Sequence, residues 1–532
     1  MRRVPSRMAG RNDVEAALAA LDANALRDLV RDTLCHLDEP DGGRVVGSII
    51  ERAARASRGF VPTPVAAAQV EETLAFARAA RREAYADPVE MDKHLRRGSN
   101  AFLGKDYAAA GQLFGALLKP IAEGDIDLGQ DELPDEVLGV DLNDCQAQYL
   151  VSAYMTSAPQ KRAEAVRAAI EAVNASVTEP LHEMERVAVE PLSELEEFLP
   201  KWRAIVEAET RGRPRAGNWY RVPEQWLSEV VRRLEGAEGL AALARSTKQV
   251  EDLRTWCRAL VEEKDWTAVL AASEEAAELA AGDEHVVGEF LDGAALAAKE
   301  LGRHDLPAKL ERAWRKAPTF ARLRRWLGSA ADLAGIEALA TQALAGCRED
   351  ANRQRGLLDV IRGDFEAAAK LLAAAPGLGW SGAEHPGHLL FQAFQAVLEG
   401  DAASLSAASL DLDDLDLMLD PETPRLPAVA VAELLARAGV KAVSDPARQS
   451  MLEAMCKAAE HRVAGVTEKK RRTQYGHAAA LVAACVAADG SSDATRWAAA
   501  LRERYRRFPA LRAELDRAFA RSSVGGGGGQ ER

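Results

Sequence analysis

Apolar residues recur at i, i+3, i+4 and i+7 along nearly the whole chain, and strictly alternating β-branched runs are few. That is the signature of helices and not of strands. Residues 14 to 34 set the pattern: Val14, Leu18, Leu21, Leu26, Leu29, Val30 and Leu34 fall into one stripe, with Asp22 placed to cap a second short helix. Such helices must cover their stripes with neighbours, so the pattern predicts an all-α fold.

Several segments share one grammar of helix, tight polar turn and helix. Gly98, Phe102, Lys105-Asp106-Tyr107, Ala110, Phe114 and a terminating Pro120 form the first. Trp256, Leu260, Lys264-Asp265-Trp266, Val269 and Leu270 form the second, and Gly293, Leu296, Gly302-Arg303-His304-Asp305, Ala308, Trp314 and Pro318 the third. Leu358, Ile361, Arg362-Gly363-Asp364-Phe365, Ala368, Leu372 and Pro376 form a fourth, and a fifth opens over His388 to Asp401. A small residue lets the two helices of a hairpin approach, an aromatic fills the space between hairpins, and each pair exposes an apolar face until the next covers it.

Over residues 88 to 123 and 250 to 401 this grammar resembles tetratricopeptide (TPR) repeats, with Gly98, Ala110, Phe114 and Pro120 near the small, small, aromatic and proline places of that motif. The resemblance implies an α-solenoid of TPR-like helical hairpins with a C-terminal helical cap. The stretch Arg471 to Cys485, with Trp497, Leu501 to Tyr505 and Pro509 to Leu511, resembles the helical-repeat body of bacterial SWIM-type zinc-finger proteins. That finger is a Cys-x-Cys followed by a Cys-x-His; this chain has neither half, so a zinc or nucleic-acid role carried by the finger does not transfer.

Breaks in the pattern divide the chain into a helical region at 1–86, a TPR-like hairpin with acidic helices at 87–210, and a basic linker at 211–223. A helical-repeat array follows at 224–408, then an acidic, Pro-rich connector at 409–428, a basic helical region at 429–521 and a flexible tail at 522–532. The acidic stretch Gly124 to Asp141 is expected to join two hairpins.

Charge sharpens this division. The net charge of -14 is uneven: residues 429 to 532 carry 18 Lys and Arg against 11 Asp and Glu, a net of +7, which leaves -21 on residues 1 to 428. The two parts should attract each other or different partners. No apolar run approaches the ~20 residues of a membrane helix, so no membrane partner is expected. Arg2, Arg3 and Arg7 precede no apolar segment of the secretory kind. Six cysteines, never closer than 29 residues, lie in Ala/Leu-rich helical patterns, unlike a disulfide framework or zinc knuckle, and a reducing cytoplasm is the expected compartment.

Candidate chemistry changes little. Gly377 to Gly382 satisfies G-x-G-x-x-G, but helices precede it and Glu384-His385-Pro386 follows, so it reads as a loop and not a phosphate cradle. Glu384, His385 and His388 lack the one-face helical spacing of a zinc site, since Pro386 and Gly387 intervene. Cys35 and His36 are neighbours that point ~100° apart on a helix. The Glu-rich stretch Glu183 to Glu197 reads as a solvated helix face. Neither an enzyme nor a cofactor is expected.

The expected function is therefore a non-catalytic interaction scaffold or regulatory subunit that binds a peptide or partner protein on a helical-repeat surface. Polar residues flanking the small positions of the best repeats, Asn100, Lys105, Lys299 and Arg303, are the candidate partner-binding residues. The alternative is nucleic-acid association through Lys469, Lys470, Arg471, Arg472, Arg504 and Arg507, interleaved with Tyr475, Tyr505 and Phe508 as stacking faces. A further alternative is a regulated effector with a recognition or cleavage loop at 409–427.

Overall fold

The computed structural model describes residues 18–37, 39–55, 60–130, 133–174, 177–211, 222–399, 425–438 and 443–525. Among these residues every regular element is a helix, and the one extended pairing is an isolated bridge between Tyr85 and Asp127. The all-α, paired-helix architecture that the periodicity predicts is the one observed. The chain divides into two compact units, Met1–Leu240 and Ala241–Arg532.

In the first unit α1 (Ala23–Leu34), α2 (Glu39–Arg55) and α3 (Ala67–Glu83) precede the hairpin of α4 (Pro88–Leu103) and α5 (Tyr107–Ala122). Next come α6 (Leu142–Thr156), α7 (Arg162–Ala172), α8 (Pro180–Val187), α9 (Leu195–Thr210) and α10 (Val222–Thr247). The boundary between units falls inside α10, four residues after Gly236, whose φ of +63° interrupts the helical geometry.

Asp22 caps α1 as expected, its carboxylate accepting from the amides of Asn24 and Ala25 at 2.8 Å. Glycine at position 98 is required by its neighbour: a Cβ there would lie 2.8 Å from Phe114 Cε1, so its absence lets the Phe114 ring seat across the hairpin. Deeper in this unit Tyr154, Phe198, Trp202 and Trp226 form a chain of ring contacts 5.1 to 5.9 Å apart.

The repeated polar turn has a common physical cause. Lys105, Lys264 and Gly363 each adopt the left-handed conformation, at φ +63°, +58° and +74°. The following residue, Asp106, Asp265 or Asp364, sends its amide back to the carbonyl five residues earlier. The same aspartate then caps the next helix, accepting from Ala109, Ala268 or Ala367. One residue thus closes one helix and starts another, satisfying orphan backbone groups at both ends.

Two expectations need correction. Pro120 does not terminate its helix, which runs on to Ala122: the buried ring forgoes one bond to the Ala116 carbonyl, and the helix continues for only two residues beyond it. The Glu-rich stretch from Glu183 to Glu197 is not one helix: α8 ends at Val187 and α9 begins at Leu195. The N-terminus of α8 is capped from a distance by Glu229, which accepts from the amides of Leu181 and His182, while burial pushes its carboxyl up to about 7.

The second unit runs through α11 (Val250–Glu262), α12 (Trp266–Leu279), α13 (Glu284–Glu300), α14 (Leu306–Lys316), α15 (Phe320–Gly328), α16 (Leu333–Gly346), α17 (Asn352–Arg362), α18 (Phe365–Ala374) and α19 (Gly387–Glu399). The C-terminal helices are α20 (Val431–Ala438), α21 (Asp445–Glu468), α22 (Tyr475–Asp489), α23 (Ser492–Arg504) and α24 (Pro509–Gly525). Consecutive helices from α11 to α19 pack on one another, α20 lies against α15 and α16, and α21 lies against α18 and α19, so one hydrophobic core is continuous from Ala295 to Leu515. Within it, Asp292 is buried and receives Arg322 Nε at 2.9 Å and Arg325 Nη1 at 3.2 Å. The acidic connector up to residue 424, most of the basic linker (212–221) and the tail beyond Gly525 lie outside the described residues.

Candidate functional site

The first unit holds a cavity of about 640 Å³ walled by α2, by the inner faces of α4 and α6, and by the loop that enters α6. The wall is pinned by Arg96 on α4. Its guanidinium donates to the carbonyls of Gly43 at 2.6 Å and Gly139 at 3.2 Å, and to Asp92 at 2.6 Å, so three segments are held by one planar fork.

Several polar groups of the lining are committed. Asp141 caps α6 through the amides of Asn143 and Asp144, and Asp144 pairs with Arg186. Ser99 hydrogen-bonds Cys145, whose thiol burial pushes far above its ordinary value. A thiol held protonated in this way is no nucleophile. Gln148 differs from these: it is 3 % exposed, and its Oε1 has no hydrogen-bond partner among the described residues. A buried carbonyl left unpaired costs about 1–3 kcal/mol, so its presence on a cavity wall marks a position where a donor is expected to arrive.

Asn100 and Asn143 line the same cavity. Three carboxamides therefore converge, each offering one acceptor and two donors, which is the hydrogen-bonding character of a peptide group. Leu103, Val140 and Ile50 add apolar surface beside them. The arrangement contains no histidine and no activated nucleophile among the described lining residues, and it is chemically suited to holding an extended chain.

Of the sequence-predicted partner residues, Asn100 alone is in this cavity. Lys105 is exposed at the α4–α5 turn and reaches Glu190 at 2.6 Å, an ion pair that holds the Glu190 carboxyl below its usual range. Lys299 is exposed on α13, and Arg303 is tied to Asp305 at 2.9 Å. These two belong to the second unit, so the four do not form a single constellation within either unit.

Lys469, Lys470, Arg471 and Arg472 are all exposed, in and beside the turn between α21 and α22. Arg504 lies 3.9 Å from Glu460, and Arg507 is exposed near it in sequence. The aromatics expected to stack bases beside them are directed inward: Tyr475 is buried, and Tyr505 and Phe508 are packed on the core 6.0 Å apart. Cations without aromatic platforms remain.

The histidine-rich segment is a packing cluster. Trp380 contacts the rings of His385, His388 and His477 at 5.2 to 5.7 Å. His385 donates from Nε2 to the Pro376 carbonyl and accepts the Gly387 amide at Nδ1, which commits both ring nitrogens. Burial lowers the His385 imidazole and pushes His477 down to about 4. The glycine motif in front of it serves a close approach: a Cβ on Gly377 would stand 1.9 Å from the His461 carbonyl oxygen on α21.

Sequence reasoning missed Gln148, Asn143 and Arg96. A signal existed for Gln148: it stands three residues after Cys145, three before Val151 and four before Ser152, on a helix face that is otherwise apolar or small. No protein-family model matches this chain, and no curated protein matches it.

Proposed function

We propose that the chain is a non-catalytic interaction scaffold or regulatory subunit that holds an extended peptide segment of a partner protein in the cavity between α4 and α6. The observation that carries this reading is the unpartnered, buried Oε1 of Gln148 beside the carboxamides of Asn100 and Asn143. An arriving backbone N–H satisfies it, and the asparagines bond the next peptide groups along the chain. Asp135, Asp141 and Asp144 line the cavity; Asp141 caps α6, Asp144 is shared with Arg186, and the one described cation of the lining, Arg96, is already engaged. A basic segment is therefore the favoured partner, in keeping with the -21 carried by residues 1 to 428.

An array of immobilised peptides of graded net charge, probed with the full chain, tests the reading. Basic extended peptides should bind, and Gln148→Leu should weaken binding at least ~10-fold, about 1.4 kcal/mol. The same substitution should leave stability within ~1 kcal/mol, because the oxygen it removes has no partner to orphan. Binding that is indifferent to Gln148→Leu and Asn100→Ala contradicts the proposal. Nucleic-acid association through the exposed run Lys469 to Arg472 is the second reading, favoured by that exposure alone; retention on single-stranded DNA that Gln replacements at these four positions abolish is the result that supports it.

A further inference from the structure

The fold brings together two cysteines that stand 29 residues apart in sequence, Cys456 on α21 and Cys485 on α22. These helices form an antiparallel hairpin closed by residues 469 to 474. Cys456 lies twelve residues before the end of α21 and Cys485 ten residues after the start of α22. At ~1.5 Å per residue the two sit about 18 and 15 Å from the turn, at nearly the same level. Ala459 on α21 and Ala478 and Ala479 on α22 are fully buried in the same hairpin. The Cys485 thiol lies within interacting reach of the Cys456 sulfur and favours charge on it.

Their surroundings differ in a way that assigns roles. Cys485 is buried, whereas Cys456 is half-buried and reachable from solvent. The neighbouring Cys485 thiol favours the thiolate on Cys456, while Glu453, Glu460 and Asp489 oppose it, which makes it a slow nucleophile and not a peroxidase centre.

We propose that Cys456 and Cys485 are a hydroperoxide-sensitive dithiol that oxidises to a disulfide and fastens α21 to α22. The Cys456 thiolate attacks one oxygen of hydrogen peroxide; the O–O bond breaks, a sulfenic acid forms on Cys456, and the leaving hydroxide takes a proton to become water. Cys485 then loses its proton and attacks the Cys456 sulfur, forming the S–S bond and expelling the sulfenic oxygen as a second water. Two thiols supply two electrons, and one peroxide bond is reduced. A thiol reductant reverses the change.

The test treats the full native chain with hydrogen peroxide, blocks remaining thiols with an alkylating agent, and maps tryptic peptides by mass. The expected product joins 449–457 to 473–496 with a loss of ~2 Da, two hydrogens, and disappears on reduction. In Cys485→Ser the resolving thiol is gone, so Cys456 should proceed to sulfinic acid under the same treatment. In Cys456→Ser, Cys485 should stay reduced. Unlinked wild-type peptides with Cys456 carried to sulfinic acid, or a cross-link to Cys35 or Cys347 in place of this one, overturn the proposal. The wild-type measurement stands whether or not either variant folds.

Discussion

Replacing Asp292 by Ala should remove about 3–5 kcal/mol from the stability of the second unit. Asp292 is 2 % exposed and accepts from Arg322 Nε at 2.9 Å, with Arg322 Nη2 at 2.8 Å and Arg325 Nη1 at 3.2 Å as further ion-pair contacts. Arg322 is itself 1 % exposed and has one further acceptor, the Ala317 carbonyl. Without the carboxylate a guanidinium stays desolvated with no counter-charge, and the cost is its desolvation and not the modest net value of the pair. Denaturant unfolding of Asp292→Ala beside Glu196→Gln, an exposed carboxylate, checks this. A midpoint for Asp292→Ala that matches that of Glu196→Gln would remove the buried pair from the account.

Gly377→Ala should be comparably damaging, by about 3 kcal/mol or more. The new methyl would stand 1.9 Å from the His461 carbonyl oxygen, and the obstacle is helix backbone that cannot rotate aside. Gly465 faces the same contact from α21, within 3.1 Å of Gly377 if given a Cβ. Gly282→Ala, where nothing lies within 4 Å, should change stability by less than ~0.5 kcal/mol. Thermal melts of the two variants decide whether the glycine motif serves close packing. Equal melting temperatures would show that the loop does not press on α21.

Much of the fold was legible because it is written in short-range chemistry. Asp106, Asp265 and Asp364 sit at the N-caps that their spacing marks, and Gly98 faces Phe114 as the close approach of a hairpin requires. The break between Val187 and Leu195 was missed although Pro191 marks it, because the six glutamates from Glu183 to Glu197 read as the polar face of one helix. Arg322 and Arg325 were invisible for another reason. Alternation of cations with Leu323, Trp326 and Leu327 reads as a half-exposed helix, and only tertiary packing shows that every face is covered.

The candidate site was legible in one residue, Asn100, since its cavity is assembled from α2, α4 and α6 across some hundred residues of chain. Gln148 and the Cys456–Cys485 pair depend on which helix faces meet, and periodicity gives the faces without giving their neighbours. Lys105 and Arg303 were reasonable as exposed cations, and their partners Glu190 and Asp305 became apparent once the turns were in place.

We propose that the α4–α6 cavity, and not the basic C-terminal surface, receives the partner. Hydrogen–deuterium exchange of the full chain, alone and saturated with the tightest basic peptide from the array, tests it directly. Protection should appear over residues 96–103 and 141–148 and be lost with Gln148→Leu. Protection confined to residues 469–507, with no change in α4 or α6, would contradict the account.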